Sequence, residues 1–348
     1  MRVLGWPAFR ERDQDRFTNL LYEQMRGLGV AVEEFTAPRL ARGGWDILHL
    51  HFPDVVWLHP RRSTARMKAW LLLRLLDVAR LRGTRVVWTA HNLGSRDRLH
   101  PLEERRYWGA LIARLSGVIH LSAVGRRMVE EELPSLRAVP AFTIPLSHSR
   151  AAYPLQVERG EARRRLGLAE TAELVVFVGR IRRYKNLPHL IRTFRALERP
   201  HAGLLAAGLL QDPGLRGELE AAVGNDPRVT FREGRVPADQ MPTLLGAADL
   251  VALPFTQILN SGSMLLALSF DRPVLVPAQG ALPEVQAEIG ADWIRTYDGE
   301  LTSGVLDQAM EWALGTERAP RAPVGHHDPA AVALQTLEAY RAVPAAHR

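Results

Sequence analysis

Short apolar runs alternate with helix-like stretches along the whole chain, and this rhythm restricts the fold more than any other feature. The run from Glu173 to Val178 is typical, because it is almost wholly apolar and ends at Gly179. Continuous apolar strands separated by helices indicate parallel sheets that are covered on both faces. The alternation passes twice through the 348 residues. It therefore predicts an α/β protein with two Rossmann-like domains.

The polar segments between these runs predict the domain limits. Residues 147–154 follow the last strand of the first half and end in proline, which is typical of a linker. We expect a first domain over 1–150, a second over 151–327, and a final helix within 328–348 that folds back on the first domain. Ligands of such sheets bind beyond the carboxyl ends of the strands. In a two-domain protein those ends are expected to face each other across a cleft.

Composition narrows the class of protein further. The chain has no cysteine, which excludes disulfides and thiolate metal sites. No apolar run approaches the roughly 18 residues of a membrane span, and the first residues are typical of a strand and not of a signal peptide. We therefore expect a cytoplasmic protein.

The net charge of +7 is unevenly distributed. Residues 1–150 hold 24 basic against 15 acidic side chains, whereas residues 151–348 hold 21 against 23. This excess suits contact with the phosphates of a lipid diphosphate, an anionic membrane or a nucleic acid. An arginine-rich surface without any partner is the alternative.

Only two of the 45 basic residues are lysines, Lys68 and Lys185. Lys185 stands in a turn with Gly179, Arg180 and Arg182, between an apolar strand and the start of a helix. A basic turn at a helix N-terminus is an anion site, and lysine supplies a compact charge there. The turn predicts binding of a diphosphate, with a solvated basic turn as the alternative.

Two further segments of the second half have the character of ligand loops. One follows a strand and begins a helix, where an N-cap and free N–H groups would accept phosphate or sugar hydroxyls. The other ends a strand and would hold a nucleobase through backbone groups. Their residues are Asn260, Ser261, Gly262 and Ser263 in the first, and Glu233, Gly234 and Arg235 in the second. Ordinary helix capping and an ordinary strand end are the alternatives.

Histidines and one carboxylate mark the strand ends of the first half. His49 and His51 alternate on a strand and so face the same side, and Asp54 follows them. Together they permit a metal site, although histidines satisfied within the core are the commoner arrangement. Asp54 is well placed as a general base, and His91, after the next strand, would lie at the same rim and bind a sugar or orient an acceptor.

These motifs together resemble the GT-B glycosyltransferases, and more narrowly the GumI-type β-mannosyltransferases of bacterial exopolysaccharide synthesis. The matching segments are 46–54, 59–60, 89–93, 181–185, 260–269 and 272–275. The resemblance implies a nucleotide-sugar donor, GDP-mannose, held by the second domain through Arg182, Lys185 and 260–263. It also implies a polyprenyl-diphosphate-linked acceptor held by the basic first domain, and no metal or other cofactor. The basic first domain in turn suits peripheral attachment to the inner face of the plasma membrane.

Departures from the pattern refine the expected mechanism. Retaining relatives carry two glutamates where this chain has Ile258 and Leu266, which favours inversion, with Asp54 as the base and Asp97 or His91 as the next choices. Asn186 replaces the usual glycine after the lysine. A UDP-sugar donor, a nucleotide-sugar 2-epimerase of the same architecture and a nucleic-acid-binding protein are the alternative functions.

Overall fold

The computed structural model describes residues 1–10, 16–92, 99–153 and 155–344. The chain divides into two compact units, Met1–Ser147 with His326–Arg348, and His148–Gly325. In the described residues each unit holds one sheet of six strands, and every pair of neighbouring strands is parallel. The predicted α/β class with two parallel sheets is confirmed.

The first unit alternates strands and helices. Its strands are β1 (Arg2–Trp6), β2 (Ala31–Glu34), β3 (Ile47–Leu50), β4 (Arg85–Ala90), β5 (Gly117–His120) and β6 (Ala141–Thr143). Its helices are α1 (Arg16–Gly27), α2 (Ala37–Arg42), α3 (Arg62–Leu81), α4 (Pro101–Ile112), α5 (Ala123–Glu132) and, from the end of the chain, α13 (Pro329–Ala342). The strand order is β2-β1-β3-β4-β5-β6, so the order reverses between β1 and β3.

The final helix belongs to the core of the first unit, as expected. Helices α1 and α13 pack against each other over one face of the sheet, where Tyr22 and Tyr340 are fully buried. Arg85, on β4, donates to the backbone carbonyls of Tyr340 and Val343 at 3.0 and 3.1 Å. Asp328 caps the start of α13 by accepting from two backbone N–H groups. The helix therefore covers sheet surface that would otherwise be open to water.

The second unit repeats the alternation. Its strands are β7 (Glu173–Val178), β8 (Ala202–Gly208), β9 (Val229–Glu233), β10 (Leu250–Ala252), β11 (Val274–Pro277) and β12 (Ile294–Tyr297). Its helices are α6 (Arg159–Leu166), α7 (Leu187–Arg195), α8 (Arg216–Val223), α9 (Met241–Gly246), α10 (Gly262–Ser269), α11 (Leu282–Ile289) and α12 (Ser303–Gly315).

The strand order of the second unit determines where its loops meet. The order is β12-β11-β10-β7-β8-β9, so the direction of winding reverses between β7 and β10. Ligands of doubly wound sheets bind at this reversal, beyond the carboxyl ends of the strands. The loop after β7 carries Lys185, and helix α10, which follows β10, carries Ser263 in its first turn.

No helix among the described residues is both long enough and apolar enough to cross a bilayer.

Candidate functional site

The loop after β7 holds Lys185 in a buried position. The side chain is only 7% exposed, and its Nζ donates to Oγ of Ser263 at 3.0 Å. Gly179, at φ +134°, lies directly beneath it, since a Cβ there would approach Nζ to 3.0 Å. A glycine is therefore needed for two reasons, the backbone angle and the space that the ammonium group occupies.

The turn around Lys185 keeps its shape without the usual glycine. Asn186 adopts the left-handed conformation, with φ 54° and ψ 34°, and begins α7 as its N-cap. Asparagine is among the few non-glycine residues that adopt this conformation readily. The substitution noted in the sequence thus leaves the turn intact.

The loops after β7 and β10 are joined directly. The backbone N–H of Thr256 donates to the carbonyl oxygen of Tyr184 at 2.9 Å, and the rings of Tyr184 and Phe255 stack. Helix α10 begins beyond this junction, with Ser261 as its N-cap accepting from the N–H of Met264 at 3.1 Å. The structure therefore brings the predicted basic turn and the predicted capping segment to one place.

Asn260 and Gly262 lie on either side of the N-cap Ser261. The side-chain amide nitrogen of Asn260 is buried, and no acceptor for it lies within the described residues. A buried amide donor without an acceptor costs free energy, which a ligand oxygen would recover. Gly262 is exposed and open on the side where a Cβ would stand.

The two arginines of the turn are positioned differently from Lys185. Nε of Arg182 donates to Oε1 of Gln211 at 2.8 Å, which orients the guanidinium from the loop after β8. Arg180 is half-buried directly after Gly179. The role of Gln211 could not be predicted from the sequence, because a single glutamine in a loop belongs to no recognisable motif.

The segment after β9 lies farther along the sheet, since β8 separates its strand from β7. Both carboxylate oxygens of Glu233 accept from Arg216, at 2.7 and 2.8 Å, and this pairing lowers the pKa of Glu233. The N–H of Gly234 donates to the carbonyl of Gly208 at 3.0 Å, and Arg235 is exposed. The donor role of this segment stays a prediction.

In the first unit, His49 and His51 belong to a buried hydrogen-bond network. The hydroxyl of Tyr22 lies 3.0 Å from Nδ1 of His49 and 2.7 Å from Nε2 of His51. Nε2 of His49 lies 2.7 Å from the hydroxyl of Thr89. Nδ1 of His51 lies 3.0 Å from Nε2 of His91, the half-buried residue after β4. The network thus links the sheet interior to the rim.

Burial keeps these histidines neutral. Desolvation, with a smaller contribution from His91, lowers the pKa of His49 to about 3. The same cause, followed by the charges of His49 and His91, lowers the pKa of His51 well below its ordinary value. Desolvation also raises the pKa of the Tyr340 hydroxyl, whose oxygen lies 2.6 Å from Nδ1 of His49. The predicted same-face pair is confirmed as a satisfied core pair.

The possibility of a metal site at these histidines finds no support. No three His, Asp or Glu side chains within the described ranges are arranged to hold a metal ion. The ring nitrogens of His49 and His51 are instead engaged with Tyr22, Thr89 and His91.

Asp54 stands in a single 3-10 turn, Pro53–Trp57, directly after β3. It is half-buried, and the hydroxyl of Tyr107 supports the turn by donating to the carbonyl of Pro53 at 2.8 Å. Burial, and secondarily the charge of Asp54, raises the pKa of Tyr107. The position suits a general base at the rim of the first sheet. Asp97, the other carboxylate considered from the sequence, lies outside the described residues.

Comparison with known proteins agrees with this architecture. Residues 172–300 match the family model described as glycosyl transferases group 1. The chain is 30% identical over 283 residues to the GDP-mannose:glycolipid 4-beta-D-mannosyltransferase of Xanthomonas campestris pv. campestris, covering 80% of this chain and 74% of that protein.

Solved structures share the fold over nearly the full length. Sucrose-phosphate synthase from Thermosynechococcus elongatus superposes with a TM-score of 0.72 at 16% identity, covering 98% of both chains. HepE from Anabaena, in complex with UDP and glucose, superposes with a TM-score of 0.68 at 13% identity, covering 98% of this chain and 99% of that one. At these identities the likeness concerns the fold, which is GT-B.

Proposed function

The chain belongs to the glycosyltransferase family that includes the GDP-mannose:glycolipid 4-beta-D-mannosyltransferases, and from this premise we propose that it transfers mannose from GDP-mannose to a lipid-linked glycan. The observation that carries the proposal is the 30% identity, spread over 80% of the chain, to an enzyme of that name. The glycan is proposed to serve exopolysaccharide or surface-polysaccharide synthesis, as the resemblance implies.

The donor diphosphate is assigned to the second unit. Lys185 and Ser263 lie 3.0 Å apart at the strand reversal, where Arg180 and Arg182 follow Gly179. A buried ammonium, two guanidinium groups and the first N–H groups of α10 provide charge and donors for two phosphates. Asn260, whose buried amide has no acceptor among the described residues, is assigned to a hydroxyl or phosphate oxygen of the donor.

The transfer is proposed to invert the anomeric carbon. Ile258 and Leu266 stand where retaining relatives carry glutamates, so neither position offers a carboxylate. Asp54 takes the proton of the acceptor hydroxyl while that oxygen forms a bond to C1 of mannose. The bond from C1 to the diphosphate oxygen breaks at the same time, and GDP leaves with the electron pair.

The leaving diphosphate is proposed to need no metal ion. Negative charge that develops on it is stabilised by fixed positive groups and helix N–H groups, which require no reorganisation during the reaction. Lys185, Arg180 and Arg182 supply these charges, and α10 supplies the N–H groups.

The acceptor is proposed to be carried on a polyprenyl diphosphate, and it is assigned to the first unit. Residues 1–150 hold a net charge of +9, which favours a substrate with phosphate groups and a reaction close to an anionic bilayer. The protein would then act as a peripheral enzyme on the cytoplasmic face of the plasma membrane.

Thermal shift of the purified protein tests the donor assignment first. Stabilisation by GDP and GDP-mannose, but not by UDP, UDP-glucose or UDP-GlcNAc, is the expected result, since a ligand stabilises only the state that binds it. Selective stabilisation by uridine nucleotides would replace GDP-mannose by a UDP-sugar. Conversion of a free nucleotide sugar to its 2-epimer would instead favour the epimerase.

A further inference from the structure

The outward face of α3 carries a row of apolar side chains exposed to solvent. These residues, called here the outer stripe of α3, are Met67, Trp70, Leu71, Val78 and Leu81. Trp70 is 61% exposed and Leu81 is 87% exposed. Their spacing of three, four, eleven and fourteen residues from Met67 places them on one side of the helix.

A second apolar row on α3 already serves the protein core. Ala65, Ala69, Leu72, Leu76 and Ala79 are buried and repeat every three to four residues. At 3.6 residues per turn this row lies opposite the outer stripe. The core therefore accounts for one apolar face of the helix, and the outer stripe is not part of that core.

Exposed residues of this kind normally occur singly on soluble proteins. A contiguous apolar patch is typical of a surface that meets a protein or a membrane. Tryptophan is enriched where a helix lies in the boundary between lipid head groups and acyl chains. Trp70 lies in the first half of the stripe, next to Leu71 and one turn from Met67.

Basic residues are frequent along α3 and at its two ends. Their positions are Arg61, Arg62, Arg66, Lys68, Arg74, Arg80 and Arg82. Asp77 is the acidic residue of this helix, and Arg114 and Arg74 neutralise it. Arg61, Arg66 and Lys68 form no ion pair within the residues that the structure describes. An apolar row bordered by unpaired cations complements an anionic bilayer surface.

Further exposed apolar side chains lie on the elements that neighbour α3. The turn Pro53–Trp57 packs against α3 and exposes Val55, and Leu58 after it is exposed as well. On the other side, Arg62 pairs with Glu103 of α4, next to the strongly exposed Leu102. The turn that carries Asp54 thus lies beside α3 in the first unit.

We propose that the outer stripe of α3, extended by Val55 and Leu58, is the surface by which this protein docks on an anionic phospholipid membrane. The apolar side chains enter the head-group boundary, and Arg66 and Lys68 meet lipid phosphates. The proposal rests on the proposed function in one respect, since docking here holds the turn of Asp54 close to a lipid-linked acceptor.

Co-sedimentation with vesicles tests the surface without donor or acceptor. The wild-type chain is expected to bind vesicles of phosphatidylcholine and phosphatidylglycerol, and to bind pure phosphatidylcholine far less. Replacing Trp70→Ser and Leu71→Ser together should weaken binding by at least about tenfold, from the lost apolar burial. Arg66→Glu with Lys68→Glu should weaken it by at least about thirtyfold, because each basic residue near the surface contributes roughly a fivefold factor and the two new carboxylates are repelled by anionic lipid.

Matched control variants distinguish an effect of this surface from an effect of net charge or of exposed apolar side chains elsewhere in the chain. Arg127→Glu with Arg137→Glu changes the charge by the same amount on exposed residues of the same unit, and Leu314→Ser with Leu334→Ser removes two leucines that are each 45% exposed. Both controls should keep wild-type binding. Equal loss in test and control pairs, or no binding of anionic vesicles by the wild-type chain, would overturn the proposal.

Two further measurements separate membrane docking from self-association and from donor binding. If Trp70→Ser with Leu71→Ser dissociated a dimer in sedimentation velocity, the stripe would be a contact between copies of this chain and the proposal would be wrong. GDP binding measured on the same variants is expected to be unchanged. Failure of the wild-type chain to bind any nucleotide would contradict the proposed function, whereas the vesicle result would still decide the docking surface.

Discussion

The hydroxyl of Tyr340 lies 2.6 Å from Nδ1 of His49, although the two residues are 291 positions apart in the sequence. Both side chains are fully buried. This contact ties α13, at the end of the chain, to β3 in the interior of the first sheet. Because His49 is hydrogen-bonded through Tyr22 to His51, and His51 to His91, the last helix supports the residues at the rim of that sheet.

Replacing Tyr340→Phe is expected to destabilise the first unit. The change removes the hydroxyl and leaves Nδ1 of His49 with one hydrogen-bond partner fewer in a buried site, which costs about 1–3 kcal/mol. The melting temperature and urea midpoint measure the loss. Tyr297→Phe is the control, since Tyr297 is nearly as buried, in the second unit. Equal effects of the two changes would argue against the His49 contact.

Stability is expected to fall with pH below the ordinary histidine range. His49, with a pKa of about 3, and His51 stay neutral in the folded state, whereas in the unfolded chain each takes up a proton as the pH falls through about 6.5. The contribution of His49 is fully present above that pH and decreases by about 2 kcal/mol by pH 5, and the contribution of His51 decreases in the same direction. Denaturant titrations between pH 7.5 and 4.5 measure how the free energy of unfolding depends on pH. The control is His201→Gln, at an exposed site, which should not change this dependence.

The sequence predicted the sheets well because parallel strands buried on both faces leave a continuous apolar signal. The apolar run from Glu173 to Val178 forms β7 with those same bounds. Two helices had no such signal. Helix α6 is rich in arginine, and it completely buries Arg163, whose charge is neutralised by Asp249 at 2.6 Å. Helix α2 has only six residues and buries Leu40 alone.

The candidate site could be predicted only where residues of one function are adjacent in the chain. The turn with Lys185 and the segment with Ser263 were each recognisable, but their contact joins residues 78 apart. Tyr22, Tyr340 and Gln211 were missed, because a tyrosine in an apolar helical pattern and a glutamine in a loop look like ordinary core and surface. Their roles follow from the strand order and the packing of α13, which no local pattern contains.

Replacing Lys185→Ala is expected to weaken GDP binding. The side chain is buried beside Ser263, and a charge-assisted hydrogen bond to phosphate contributes about 1.5–3 kcal/mol, or roughly ten- to 150-fold in Kd. Isothermal titration with GDP measures the change. Lys68→Ala, at the only other lysine of the chain, is the control and should bind as the wild type does. Similar Kd values for both variants would remove Lys185 from the donor site.

Replacing Gly179→Ala should impair donor binding more than stability. The new Cβ would stand 3.0 Å from Nζ of Lys185 and would force the ammonium group away from its position. The backbone at φ +134° adds strain of about 1–3 kcal/mol. Gly290→Ala is the matched control, since Gly290 has φ +112° and open space around it. Both variants should lose stability, but only Gly179→Ala should lose GDP affinity.

Replacing Asp54→Asn should stop transfer while leaving the donor bound. The amide keeps the shape of the side chain but cannot accept the proton of the acceptor hydroxyl, so kcat should fall by about 10²–10⁴. GDP titration should give the wild-type Kd, because Asp54 lies in the first unit and the assigned phosphate ligands lie in the second. Transfer of labelled mannose into a membrane extract that contains lipid-linked acceptors measures the activity. Asp97→Asn is the competing variant: if it abolished transfer while Asp54→Asn retained it, the proton would pass to Asp97 and the assignment of the base would be wrong.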